Sequence, residues 1–281
     1  PQTPNFGHVA KDITSTKTSI YAMKNVFIIA LALVFSTGVA FAQNNNDANQ
    51  TQDGEELEAV INQVGNNNYA TQDQSGSENS LLIEQTGNNN YAEQTQTDRG
   101  LGVGVSNPNT AEIFQSGNNN TAIQDQSRET KYAGIDQSGN NNFAQQTQTG
   151  IASSANIDQS GSSNTAEQTQ DVNAFSASID QSGNVNYARQ YQEGKRNVAE
   201  IDQSGSNNTA LQDQFGDQDF QPPPGESVLS IIQSGNNNFA QQTQMAGSTI
   251  NDAHIVQSSN NNSAVQEQAG SGNTATITQG H

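Results

Sequence analysis

Apolar and polar positions in this chain recur together with a long period and a short one. Ile stands at 61, 83, 113, 135, 157, 179, 201, 231, 255 and 277, each time two residues before a Gln, so that the Gln series runs 63, 85, 115, 137, 159, 181, 203, 233, 257, 279. The basic step is 22 residues, lengthened to 30 twice and to 24 once. After each of the first nine of these Gln residues the same order follows: Asn five residues on (Asn68, Asn142, Asn208), Ala seven on (Ala70, Ala144, Ala210), and Gln nine and eleven on (Gln72 and Gln74 in the first copy, Gln148 and Gln214 among the later ones). Gly falls two after the first Gln (Gly65, Gly139), except at Ser259. Fixed positions two residues apart share one face of a strand, so Ala/Leu-x-Ile-x-Gln and Asn-x-Ala-x-Gln-x-Gln read as two strands. The Gly-Asn-Asn block between them supplies residues that tolerate positive φ and predicts a tight reversal.

The unit is therefore strand–turn–strand, and the fold class is all-β: a β-solenoid of stacked rungs with two facing parallel, in-register sheets. Helices are excluded because a Gly-Asn-Asn-Asn block every 22 residues would break them, and the spaced Leu of leucine-rich repeats is absent. A single rung has too little apolar surface to fold alone. Stacking at roughly 4.8 Å places like residues over like. The expected interior ladder is Ile61, Gln63, Gly65, Asn68, Ala70 and Gln74, then Ile135, Gln137, Gly139, Asn142, Ala144 and Gln148, then Ile201, Gln203, Asn208, Ala210 and Gln214. Each amide carries two donors and one acceptor oxygen, so a column of amides can bond to itself. Outward positions vary freely (Thr71, Glu93, Ile123, Gln145, Glu167, Arg189). The two long insertions, near 97–108 and 215–226, have loop composition and are expected to bulge from the stack.

Composition changes what this ladder can be. Of 281 residues 36 are Gln and 38 are Asn, only 31% are hydrophobic, and the net charge is −19. Low hydrophobicity with high charge gives disorder unless something overrides it, and the repeat is that override. The acidic balance speaks against nucleic-acid binding. With no Cys there is no disulfide, no zinc-thiolate site and no thiol nucleophile. His occurs only at 8, 254 and 281, no acid–base cluster is present, and neither catalysis nor a cofactor is expected.

The first 42 residues lie outside the repeat. Met23-Lys24, the apolar run Val26 to Phe35, and Ala40-Phe41-Ala42 have the layout of a secretory signal peptide. On this reading 1–22 is an upstream extension, 23–42 is removed on export, and no segment inserts permanently in a membrane. Residues 43–58 form an N-terminal half-repeat, with Ala48 lying 22 before Ala70, and 59–281 hold the repeats.

The spacing Gln137-Ser-Gly139-Asn-Asn-Asn142-Phe-Ala144-Gln-Gln-Thr-Gln148 resembles the curlin repeat of curli subunits, across nearly all of 43–281. One slot departs from that family's pattern. Six residues before the first Gln, where the family usually has Ser, this chain has Asn at 79, 109, 197, 251 and 273, with Ser only at 153 and 227. The resemblance implies a secreted functional-amyloid subunit of a bacterial biofilm matrix, exported through an outer-membrane pore and seeded by a nucleator subunit.

Two further features bear on assembly. Asn46, Ala48, Gln50 and Gln52 match the second half of a unit, whereas Ala275, Ile277 and Gln279 match a first half. A composite rung between copies, made by strand addition, is the expected junction of a homopolymer. Asp136, Asp158, Asp180 and Asp202 fall in one outward slot, either as a solvated acidic face or as a cation-bridged column. Tyr69, Tyr91, Phe143, Tyr187 and Phe239 should lie outside, beside the turn. The alternative is a monomeric solenoid binding ice or a glycan. An ice binder needs a regular outward array, and here Thr95, Thr147, Thr169 and Thr243 are interrupted by Asp73, Asp125, Tyr191 and Asp213.

Overall fold

The computed structural model describes residues 36–41, 44–97, 109–128, 131–150, 153–171, 176–216, 226–245 and 250–280. Among them every regular element is a strand. The order begins with β1 (Ser36–Phe41), β2 (Asp47–Glu55), β3 (Leu57–Asn66) and β4 (Tyr69–Ser77), and ends with β19 (Asp252–Gln257), β20 (Ser263–Gln268) and β21 (Thr274–Gln279). Odd-numbered strands form an 11-stranded sheet and even-numbered strands a 10-stranded sheet, each ordered as in the chain. All pairings are parallel, and like residue meets like: Ile157 lies beside Ile179, Gln159 beside Gln181, Gly161 beside Gly183. The protein is a β-solenoid of about nine turns.

Both 30-residue steps keep this register. Ile83 pairs with Ile113 across the first and Ile201 with Ile231 across the second. The core of each expected insertion, 98–108 and 217–225, lies outside the described residues.

The inward pattern follows from the two-residue alternation. Ile61, Ile83, Ile113, Ile135, Ile157, Ile179, Ile201, Ile231 and Ile255 are at most 1% exposed, and they face Ala48, Ala70, Ala92 and their successors across the gap in one continuous apolar cluster. Ala on one side lets the sheets approach closely enough for Ile on the other to fill the space. Ile277 in β21 is the half-buried last member of that column.

Two glycine and turn features explain the local geometry. Gly139 has φ +110°, and a Cβ placed there would lie 2.0 Å from the carbonyl oxygen of Gly161 in the next rung. The same contact recurs from Gly65 to Gly205, so this column is Gly because backbone meets backbone. Four residues after the first Gln the chain passes through left-handed φ, at Asn67, Asn89, Asn119 and Asn141, but also at Val185 (φ 58°). A β-branched side chain pays a steric penalty there that Asn avoids in part.

The second turn of the rung repeats the first. Gln74-Ser-Gly76-Ser-Glu78-Asn79 and Gln192-Glu-Gly194-Lys-Arg196-Asn197 follow the same Gln-x-Gly-x-x-Asn order as Gln63-Val-Gly65-Asn-Asn67-Asn68, with positive φ at Gly76, Glu78, Gly194 and Arg196. Asn79 Nδ2 donates to the Ser75 carbonyl (3.2 Å) and Asn197 Nδ2 to the Glu193 carbonyl (3.0 Å), as Asn68 Nδ2 does to the Val64 carbonyl (3.4 Å). The departure from Ser to Asn in that slot thus has a structural reason. A rung is two similar arches, and Asn closes both.

Gly139→Ala is expected to destabilise the fold by about 1–3 kcal/mol, and Val185→Asn to stabilise it by about 1 kcal/mol, both read as shifts of the urea midpoint of the unassembled chain.

Candidate functional site

The chemistry of this molecule is concentrated in its buried amides. Gln63 Nε2 donates to Gln85 Oε1, and the same bond continues rung by rung to Gln279, with distances of 2.7–2.8 Å throughout. A second column runs from Gln50 to Gln266 at 2.8–3.1 Å. A third runs from Gln52 to Gln244 at 2.6–3.2 Å, where Gln244 Nε2 turns to Ser227 Oγ instead. In most of these residues the second hydrogen of Nε2 crosses to the facing sheet: Gln137 donates to the Thr121 carbonyl (3.0 Å) and Gln146 to the Gly134 carbonyl (2.9 Å). Where both donors are used, as at Gln137 and Gln146, the buried amide avoids the roughly 1–3 kcal/mol that an unsatisfied one costs.

All three columns point the same way. The donor belongs to the earlier rung and the acceptor to the later one. The stack is therefore polar, with acceptor oxygens towards its first rung and donor nitrogens towards its last. At the ends this leaves loose groups: Gln63 Oε1 and Gln266 Nε2 are buried without a hydrogen-bond partner.

The Asn column is wired differently. Each Asn Oδ1 accepts from the backbone N–H of the next Asn, from Asn46–Asn68 to Asn238–Asn262, at 2.9–3.0 Å. The Nδ2 reaches up to the Gly carbonyl of the next rung, as from Asn68 to Gly87 (2.9 Å) and from Asn142 to Gly161 (3.2 Å). Asn is short enough to bond backbone where Gln must bond side chain. Outside this column a second line of amides, Asn66, Asn88, Asn118 and Asn140, bonds side chain to side chain at 2.8–3.0 Å along the rim of the first turn.

The expected junction residues sit at the two ends. Asn46, Ala48 and Gln50 are buried in the rung of β2, with Gln52 half-buried beside them. Ala275, Ile277 and Gln279 are half-buried in β21, an edge strand of the larger sheet, and Gln279 Nε2 donates only to the Ser263 carbonyl (3.0 Å). β20 is an edge strand of the smaller sheet, with Ala264, Gln266 and Gln268 facing inward. One part of the expected leader also falls in the stack. Residues 36–41 form β1 against β3, whereas 1–35 and 42–43 lie outside the described residues.

Lys131 is a residue the pattern did not single out. It occupies the second-turn slot held by Asn or Ser in most other rungs, is 4% exposed, and its Nζ donates to the carbonyls of Ser127 and Gln148. It does the job of an Asn amide with a cation. Mixing residues in this slot breaks the column, for Asn109 Oδ1, Ser153 Oγ and Asn197 Oδ1 are buried without partners. Burial, helped by the nearby Arg128 cation, pulls the Lys131 pKa down from 10.5 to about 7, against the attraction of Asp125 and Asp171. Its signal in the sequence was a single basic residue in a slot otherwise held by uncharged residues.

The outward acids do stack, Asp136 beside Asp158 and Asp180 beside Asp202. Burial raises the pKa of Asp136, Asp158 and Asp202, and for Asp158 the flanking Asp180 and Asp136 add to it. Among the described residues no group of His, Asp and Glu is arranged to hold a metal ion. On the facing sheet Tyr69 and Tyr91 stack with ring centroids 5.1 Å apart and planes 8° from parallel. The Tyr91 hydroxyl donates to Glu93 (2.7 Å), and that bond, with burial, pushes its pKa to about 12. Among the described residues no helix is long and apolar enough to cross a membrane.

A model of the curlin associated repeat matches residues 186–216 and 251–280. No curated protein matches the chain significantly.

Two pH effects follow. A Lys whose folded pKa is depressed binds fewer protons folded than unfolded, so stability rises with pH between about 7 and 10.5. Lys131→Asn is expected to abolish that rise and to be the more stable form at pH 6, measured by urea unfolding across pH. Raised carboxylate pKa values have the opposite sense, stabilising in acid and losing that contribution as pH rises through the folded value. Asp158→Asn should therefore stabilise at neutral pH, with the gain vanishing at acid pH.

Proposed function

We propose that this chain, two stretches of which match the curlin associated repeat, is a structural subunit of an extracellular, curli-type amyloid fibre that grows by adding copies head to tail. The observation that carries this reading is the polarity of the amide columns together with the loose groups at their ends, an acceptor at Gln63 Oε1 and a donor at Gln266 Nε2. Continuing the 22-residue register past the last strands sets Ala264, Gln266 and Gln268 against Ala48, Gln50 and Gln52 of the next copy. It also sets Ala275, Ile277 and Gln279 against Ala59, Ile61 and Gln63 of that copy. Asn46 of the next copy then lies over Asn262. The junction becomes a composite rung with the same contacts as any interior rung.

This geometry is heterologous, because the two contacting surfaces differ, and it does not close on itself, which is the condition for a filament. Unpaired edges of β20 and β21 provide the template for strand addition. The work of such a fibre is mechanical: scaffolding of a biofilm matrix and adhesion, with no chemical turnover. Its partners are other copies of itself, with a nucleator to start growth and an outer-membrane pore for export, and neither nucleic acid nor a cofactor takes part. A single-molecule binding module for ice or a glycan would leave the open edges and the terminal amides without a purpose.

Purified exported protein is expected to form unbranched fibres whose diffraction shows a repeat of about 4.7–4.8 Å along the fibre axis. Ile277→Asp should cut seeded elongation by about tenfold or more, while far-UV circular dichroism of the unassembled chain stays unchanged. Protein that remains monomeric at all concentrations, with seeds present, would rule the reading out.

A further inference from the structure

β1 runs parallel to β3 in register from Ser36–Leu57 to Phe41–Asn62. It takes the first slot of the larger sheet, on the edge of β3 that an interior rung would use. Its sequence is a poor copy of a rung. Gly38 and Ala40 stand opposite Ala59 and Ile61, where the repeats put Ala or Leu and then Ile, and the next alternate position is Ala42 where the repeats have Gln. The effect is seen at Gln63. Its side chain is 1% exposed and its Oε1 accepts no hydrogen bond, whereas the Oε1 of Gln85 and of Gln115 each accept one from the preceding ladder amide at 2.8 and 2.7 Å.

Resting on the head-to-tail reading above, we propose that the outer edge of β3 is the docking strip for β21 of a second copy, and that residues 36–41 cover it until they are cut away. The two occupants compete for one place. β1 and β21 are both six residues long. The register of β21 on β19 is Ala253–Ala275, Ile255–Ile277 and Gln257–Gln279. Carried over to β3, it sets Ile277 beside Ile61 and Gln279 beside Gln63. Gln279 Nε2 has a hydrogen beyond the one it gives to the Ser263 carbonyl, and Gln63 Oε1 is the acceptor that lacks one.

Both strands offer β3 the same backbone ladder. Only β21 has Ile and Gln to set beside Ile61 and Gln63. What favours β1 is its tether, which keeps it at a high effective concentration beside β3. On the signal-peptide reading of Ala40-Phe41-Ala42, the scissile bond follows Ala42, one residue beyond the last paired residue, Phe41. Cutting there separates all of β1 from β2 and turns an intramolecular competitor into a free peptide with the weaker fit. Before cutting, a copy can dock through its own β21 but cannot receive another, so it terminates a fibre.

The test uses the full chain with a site-specific protease recognition sequence inserted between Ala42 and Gln43, and follows elongation of preformed seeds before and after cutting. Uncut chain is expected to elongate about tenfold more slowly or worse. Added in small proportion to cut chain, it is expected to stop growth at one fibre end only. Uncut chain carrying Gly38→Pro and Val39→Pro, which removes two adjacent backbone donors from the middle of β1, is expected to recover growth. Equal rates for cut and uncut chain overturn the inference. So does an uncut proline variant that stays as slow as its parent, because the block would then come from the bulk of the leader. Cut chain that fails to elongate its own seeds overturns the head-to-tail reading itself.

Discussion

A side-chain amide buried between two sheets must find a partner for every donor and acceptor it owns, and in this protein the partner is the same residue one rung away. Gln137 holds Gln159, which holds Gln181, at 2.8 Å each time. That requirement constrains everything around it. The rungs must be parallel and in register, since a shift of one residue would turn each Gln outward and bring a different side chain into the column. The spacing must equal that of backbone strands, so the side-chain ladder and the backbone ladder reinforce each other. Apolar contact from the Ile and Ala columns then seals a gap that is too thin to count as an oily core.

The contrast between uniform and mixed columns shows how strict the rule is. Three Gln columns and one Asn column run with almost every group paired. Where the second-turn slot changes among Asn, Lys and Ser, buried oxygens lose their partners at Asn109, Ser153 and Asn197. Uniformity is thus a condition for satisfied hydrogen bonding in the interior, while the outer face, wetted by solvent, tolerates Thr, Glu, Ile, Gln and Arg in one slot.

Direction is the property that links this interior to assembly. An amide column with donors aimed one way has unlike ends, and so does the rod built from it. Two copies then fit head to tail and have no equivalent fit head to head. The same logic makes the first slot on β3 a place where several strands can compete. Any strand satisfies the backbone there, and only one with Ile and Gln at the right alternation satisfies the interior as well.

Much of this could be read from residue spacing alone. The ten Ile residues two before Gln, the Gly-Asn-Asn blocks between them and the 22-residue step determined the strands, the turn between them, the stacking and the side chains that face inward. The reason is that an inward slot in a stacked array admits only a residue compatible with copies of itself above and below. Other features were decided by the tertiary structure. An amide can donate up or down, so the common direction of the columns emerges only when the facing carbonyls are in place. The likeness of the second turn to the first was masked by its variable length and mixed composition, and became evident from the shared positive φ at Gly76 and Glu78. The burial of Lys131, and the seat of 36–41 on β3, depend on which groups the stack leaves unsatisfied, a quantity set by geometry and carried by no periodicity in the chain.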